Sequence, residues 1–240
     1  MKILILGGTG EARELATRLV ALGHTVMTSL AGRTTSPMLP EGDLRVGKFG
    51  GIPGLVGYLK MMGFDRLVDA THPYAGLISI NAVAASQQTR VPLVRFMRPA
   101  WAEPEGAGWQ HAADLKTAAR LLPALATVMV TTGHEGLDEL LERDDCRFVV
   151  RLIEPPAEEL PRHARLVLSR PPYTVADETR LFRTEGITHL VSKNSGGDQT
   201  AAKLQAAQDL GAQVIMVDRP AYGPAVEVGT VDEAVRAVVG

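Results

Sequence analysis

The 240 residues contain one cysteine, Cys146. That excludes an internal disulfide and any cysteine-held metal cluster, and it sets a cytoplasmic location as the expectation. No apolar run is long enough to span a membrane, and the first residues enter an apolar strand without a signal-peptide layout. The six histidines include no i, i+4 pair or other ligand spacing, so no metal is expected. A formal charge of −2 lacks the basic footprint of a nucleic-acid binder. The Tyr-x-x-x-Lys pair of short-chain reductases is also missing, because Tyr58, Tyr74, Tyr173 and Tyr222 are followed four residues later by Met62, Ile78, Asp177 and Val226.

What is present begins at the amino end. Ile3 to Leu6 form a continuous apolar run, the pattern of a parallel strand buried on both faces. Gly7, Gly8 and Gly10 then allow a sharp turn and close backbone approach to a ligand. Ala12, Leu15, Ala16, Leu19 and Val20 recur at helical spacing, so the turn opens a helix whose unpaired N–H groups and positive dipole suit a pyrophosphate. The pattern is G-G-x-G, short of the full dinucleotide fingerprint.

The alternation continues. Strands are expected at 24–30, 45–48, 66–70 and 92–96, and helices at 52–62 and about 76–88, giving a five-strand α/β unit. The second strand ends in Ser29-Leu30-Ala31-Gly32-Arg33, with no acid before Glu41. An acid there would take the ribose 2′-OH of NAD, whereas an arginine accommodates a 2′-phosphate, so NADP(H) is predicted with Ser29 and Arg33 at the phosphate. The strand at 66–70 runs into Thr71-His72-Pro73-Tyr74, which a parallel sheet places over the first glycine turn.

Residues 97–110 are rich in Pro and Gly and lack a period, so we expect domains over 1–98 and 111–240 joined by a linker over 99–110. In the second half, strands are expected at 127–131, 147–153, 166–168, 188–192 and 213–217. Helices are expected at 114–122, 135–142, 175–185, 200–210 and 231–238. The strand at 188–192 leads into Lys193-Asn194-Ser195-Gly196-Gly197, a second glycine turn before a helix and a second candidate anion site. Arg90, Arg95 and Arg98 lie close in sequence, and Arg162, Arg165, Arg170, Arg180, Arg183 and Lys193 make a basic region. Together they could line a cleft that attracts an anionic substrate, and two tandem α/β units imply a cleft between them.

Taken together, Gly7-Gly8-Thr9-Gly10, Asp69-Ala70-Thr71-His72-Pro73-Tyr74-Ala75 and Lys193-Asn194-Ser195-Gly196-Gly197 give the chain an end-to-end resemblance to the precorrin-6A reductases of cobalamin biosynthesis. The resemblance implies two Rossmann-like domains with the active site between them. It also implies NADPH-dependent reduction of the C18–C19 bond of an anionic tetrapyrrole, with other pathway enzymes as possible partners. Gly7, Gly8, Thr9, Gly10, Glu11 and Ala12 would surround the pyrophosphate, and Ser29 with Arg33 the 2′-phosphate. Thr71, His72, Pro73 and Tyr74 would border the nicotinamide. Lys193, Asn194, Ser195, Gly196 and Gly197 would touch cofactor or macrocycle, and His72, Tyr74 or Lys193 could supply the proton. Another NADP-dependent reductase, or a binding module that senses NADP without turnover, is the alternative.

Overall fold

The computed structural model describes residues 1–32 and 38–240. In chain order its elements are β1 (Lys2–Leu6), α1 (Gly10–Ala21), β2 (Thr25–Leu30), β3 (Asp43–Val46), α2 (Gly51–Met62), β4 (Arg66–Asp69), α3 (Gly76–Thr89) and β5 (Leu93–Phe96). There follow β6 (Gln110–Ala112), α4 (Leu115–Leu121), β7 (Thr127–Val130), α5 (Leu137–Leu141), β8 (Arg147–Leu152) and β9 (Ala164–Leu168). The chain closes with α6 (Val175–Glu185), β10 (His189–Lys193), α7 (Ala202–Leu210), β11 (Gln213–Val217), β12 (Val226–Val228) and α8 (Val231–Val239). Among the described residues no helix is long and apolar enough to cross a membrane.

Two compact units result. One comprises Met1–Pro99 with Pro220–Gly240, the other Ala100–Arg219. The first holds a parallel sheet in the order β3-β2-β1-β4-β5-β12, the doubly wound dinucleotide-fold order in which the chain reverses direction between β1 and β4. The second holds β9-β8-β7-β10-β11-β6, the same order counted from β7, with its reversal between β7 and β10. Each sheet fills its sixth place out of turn: the first with the chain's last strand, the second with a strand that precedes all its others.

This corrects the expected boundaries. Residues 220–240, assigned from sequence to the second domain, belong to the first unit. The cause is apolar burial: Ala234, Val235 and Val238 of α8 pack in one cluster with Ile3, Ile5, Leu15 and Leu19, while β12 pairs with β5. The capping box of Thr230 and Glu233 starts α8 where that face must begin. The expected linker likewise packs with the second unit, where Trp101 and Trp109 join the cluster around Phe182, Leu190 and Met216. Neither β6 nor β12 was legible, because three-residue edge strands carry no period.

Gly54 in α2 shows how tightly the first unit is packed. A Cβ there would fall on the backbone carbonyl oxygen of Phe49, whereas one on Gly57, in the same helix, would meet nothing within 4 Å. Gly54→Ala is therefore expected to destabilise by about 2 kcal/mol, against its helix propensity. Gly57→Ala should stabilise by about 0.5–1 kcal/mol. Denaturant midpoints check both, and two shifts of the same sign would refute the packing argument.

Candidate functional site

In the first unit, β1 stays paired with β4 and with β2 to its carboxyl end, and hydrogen bonds carry the pairing one residue further on each side. Ala70 N donates to Leu6 O at 2.9 Å, and Gly7 N donates to Ser29 O at 3.0 Å. The turn needs its glycines for separate reasons. A Cβ on Gly7 would sit 2.8 Å from Thr28 Cγ2, while Gly8 has φ +124° with open space around it. Thr9 caps α1 by accepting from Ala12 N at 3.1 Å, and its hydroxyl donates to Ala70 O at 3.0 Å, locking the turn to the β4 loop. Among the described residues the amides of Gly8, Thr9 and Gly10 have no protein acceptor. Three unpaired donors at the positive end of a 12-residue helix fit a pyrophosphate. The Ala12 amide is engaged by Thr9, and its methyl is in the core.

Glu11 places a carboxylate beside this anion cradle, and Arg98 neutralises it at 2.9 Å. Burial works against ionising Glu11, but the hydrogen bond from its own backbone amide and the Arg98 guanidinium outweigh it and hold the carboxyl below its ordinary value. Thr9, Glu11, Thr71, Pro73, Phe96 and Arg98 line one small depression.

The Thr71–Tyr74 loop is held from beneath. Asp69 Oδ1 accepts from Thr71 Oγ1 at 2.7 Å and from Thr71 N at 3.3 Å. Its Oδ2 faces Arg95 Nε at 3.6 Å, an ion pair only 1–2% exposed. Arg95 Nη1 also donates to Gly223 O at 3.0 Å and Glu227 Oε1 at 2.9 Å. Tyr222 passes beneath the same guanidinium, and its hydroxyl donates to Pro73 O at 2.7 Å. The segment that follows the second unit thus secures the loop expected to border a ligand. His72 is exposed, and its Nδ1 accepts from Tyr74 N at 3.3 Å, so a neutral ring carries its proton on Nε2. Tyr74 is half-buried beside it.

Sequence reasoning missed Asp69, Arg95 and Tyr222 as one network, although a signal existed. Asp69 and Arg95 are the buried charges of two short, mostly apolar strands, and parallel pairing sets them directly opposite. Charges within a buried sheet must be paired.

At the same carboxyl edge, on the other side of β1, Ser29 is buried and its hydroxyl accepts from Arg45 Nη1 at 3.1 Å. Arg33 lies outside the described residues.

In the second unit, the Lys193–Gly197 loop leaves β10 at that sheet's own reversal point. Gly196 and Gly197 have φ +68° and +84°. The Asn194 side chain is held within the unit: its Oδ1 accepts from Trp101 N at 2.8 Å, and its Nδ2 donates to Trp101 O at 3.1 Å. Trp101 Nε1 donates in turn to Gly197 O at 3.0 Å. Lys193 and Ser195 are half-buried.

The basic region does not form one surface. Arg147 and Arg165 both pair with Glu185, Arg180 pairs with Asp177, and Arg170 with Glu154. Arg162 and Arg183 are exposed before β9 and at the end of α6, the edge where the strands begin, opposite their carboxyl-end loops. Only Arg170 and Lys193 of that group sit where parallel strands finish. Arg90, Arg95 and Arg98 also part company, since Arg90 is exposed at the end of α3 while Arg95 is buried.

The family model described as Precorrin-6x reductase CbiJ/CobK matches residues 2–239. Over 239 residues the chain is 47% identical to a protein of Rhodococcus erythropolis named Precorrin-6A reductase, covering 99% of this chain and 96% of that one. A Priestia megaterium protein named Cobalt-precorrin-6A reductase is 27% identical, covering 99% and 98%. Among solved structures, one described as CobK precorrin-6A reductase superposes with a TM-score of 0.93 at 41% identity, covering 99% of this chain and 95% of that one.

Proposed function

Because the chain belongs to the precorrin-6x reductase family, whose members are oxidoreductases, we propose that it uses NADPH to reduce the C18–C19 double bond of precorrin-6A, giving precorrin-6B. The observation that carries the cofactor half of this reading is the trio of unpartnered amides on Gly8, Thr9 and Gly10 at the start of α1. Gly7 to Glu11 would hold the pyrophosphate, with Arg98 cancelling the Glu11 charge.

Bound NADPH would supply the hydride. The chain's own contribution is placement: Asp69 holds Thr71 and Tyr222 holds Pro73, tying down the loop that would border the nicotinamide at two points. His72, with its proton on Nε2, and Tyr74 are proton sources on this loop, and Lys193 is the third candidate. The Lys193–Gly197 loop meets cofactor or macrocycle, and Lys193 and Arg170 suit the carboxylates of a precorrin. Higher identity to relatives named for precorrin-6A than to those named for the cobalt form favours the metal-free substrate.

Anaerobic incubation with precorrin-6A and NADPH tests the proposal, with NADH and cobalt-precorrin-6A in parallel. Oxidation of one NADPH per pigment, with a gain of two hydrogens in the pigment mass, is expected. Binding of NADPH with no change in either pigment would leave a sensor or another reductase. For Arg33→Ala, NADPH affinity should fall about tenfold with NADH little changed. Equal losses would count against the 2′-phosphate assignment.

A further inference from the structure

We propose that Arg45, which the sequence reading did not assign to a site, is a specificity-determining residue for the 2′-phosphate of the adenosine ribose. The inference rests on the NADPH reading above and concerns the same carboxyl edge of the sheet as the Thr71–Tyr74 loop, on the other side of β1. In a sheet of this order a dinucleotide starts from the β1 turn and extends its adenosine toward the end of β2. Strands β2 and β3 pair in parallel there, with Ser29 opposite Arg45 and Leu30 opposite Val46.

The Arg45 guanidinium is held by neutral groups. Nη1 donates to Ser29 Oγ at 3.1 Å and to Gly47 O at 2.5 Å, and Nη2 donates to Lys48 O at 2.9 Å. The group lies 3.8 Å over the Phe49 ring and 5.3 Å from Tyr58, two rings that themselves pack 5.4 Å apart. Carbonyl oxygens and aromatic faces orient a cation without neutralising it. Among the described residues no carboxylate pairs with Arg45, in contrast to Arg18, Arg98 or Arg143. A guanidinium has five N–H donors, so the three bonds leave Nε–H and one Nη2–H for another acceptor.

Arg45 is also half-buried, so the charge is fixed but reachable. Ser29 is buried and already accepts from Arg45, so an anion at this strand end would be met first by the guanidinium. A phosphate dianion is the acceptor that a preorganised, unneutralised guanidinium recognises best.

The test is equilibrium binding, without turnover, of NADPH, NADH, adenosine 2′,5′-bisphosphate and 5′-AMP to the full chain and to its Arg45→Ala and Arg45→Lys variants. Thermal unfolding establishes that each variant is folded. For Arg45→Ala, affinity for NADPH and the bisphosphate should fall ten- to a hundredfold, with NADH and 5′-AMP within about twofold of wild type. Arg45→Lys should recover part of the loss. Equal losses for NADPH and NADH would make Arg45 a brace for the Gly47–Phe49 loop and overturn the inference, as would unchanged NADPH affinity. Failure of the wild-type chain to bind either NADPH or the bisphosphate would instead bring down the cofactor reading on which this one rests.

Discussion

Arg95→Met is expected to lower unfolding stability by about 3–5 kcal/mol, because it leaves Asp69 as a buried carboxylate without its cation. Both side chains are at most 2% exposed, so water does not replace the lost partner. The pair is costly to keep: at 3.6 Å the Nε–Oδ2 contact exceeds hydrogen-bond length, and Arg95 Nε and Nη2 and Asp69 Oδ2 have no hydrogen-bond partner. Removing both charges should therefore cost much less than removing one. Arg95→Met with Asp69→Asn is expected to regain most of the loss, since a buried ion pair is often nearly neutral against an uncharged replacement. Glu227, 56% exposed, contributes little by comparison. Urea midpoints for the two single variants and the double variant decide the matter. Additive losses would mean that the pair is not coupled.

The second large effect is expected at Gly8. Gly8→Ala should weaken NADPH binding at least a hundredfold while costing only about 1–3 kcal/mol of stability, the ordinary penalty for forcing an alanine into a glycine-only conformation. Gly8 has φ +124° and no protein atom within 4 Å of a Cβ position, so no internal clash is created. What changes is the backbone, and with it the direction of the amides of Gly8, Thr9 and Gly10. Gly23→Ala is the control: Gly23 also has a positive φ, at +82°, and open space, but follows the other end of α1. Similar stability losses with NADPH binding lost only in the Gly8 variant are expected. Comparable binding losses in both would show that general strain, and not the amide cradle, is responsible.

Much of the first unit was legible because its elements are long and its signals local. The apolar run over Ile3–Leu6, the glycines of the turn and the periodic Leu15 and Leu19 lie within one stretch, and each acts on its neighbours. The Thr71–Tyr74 and Lys193–Gly197 loops were placed for a similar reason, since parallel strands gather the loops at their carboxyl ends. The basic region was misjudged because proximity in sequence ignores helical return: β9 and α6 run in opposite directions, so Arg162, Arg165 and Arg183 end up at the amino-terminal edge of the sheet. The bond between the Asn194 side chain and Trp101 was not legible because the two are more than ninety residues apart.

By itself, then, the sequence determined the alternation of strands and helices, the two glycine turns and the family, all properties of contiguous residues with a recognisable pattern. Tertiary structure alone decided that β12 and α8 return to the first sheet, that Arg95 is a buried counter-ion and that Tyr222 secures Pro73. The reason is that each of these is a pairing between segments far apart along the chain. It is selected by which apolar face or buried charge remains uncovered after local structure has formed, and a short edge strand or a single arginine carries no local trace of that demand.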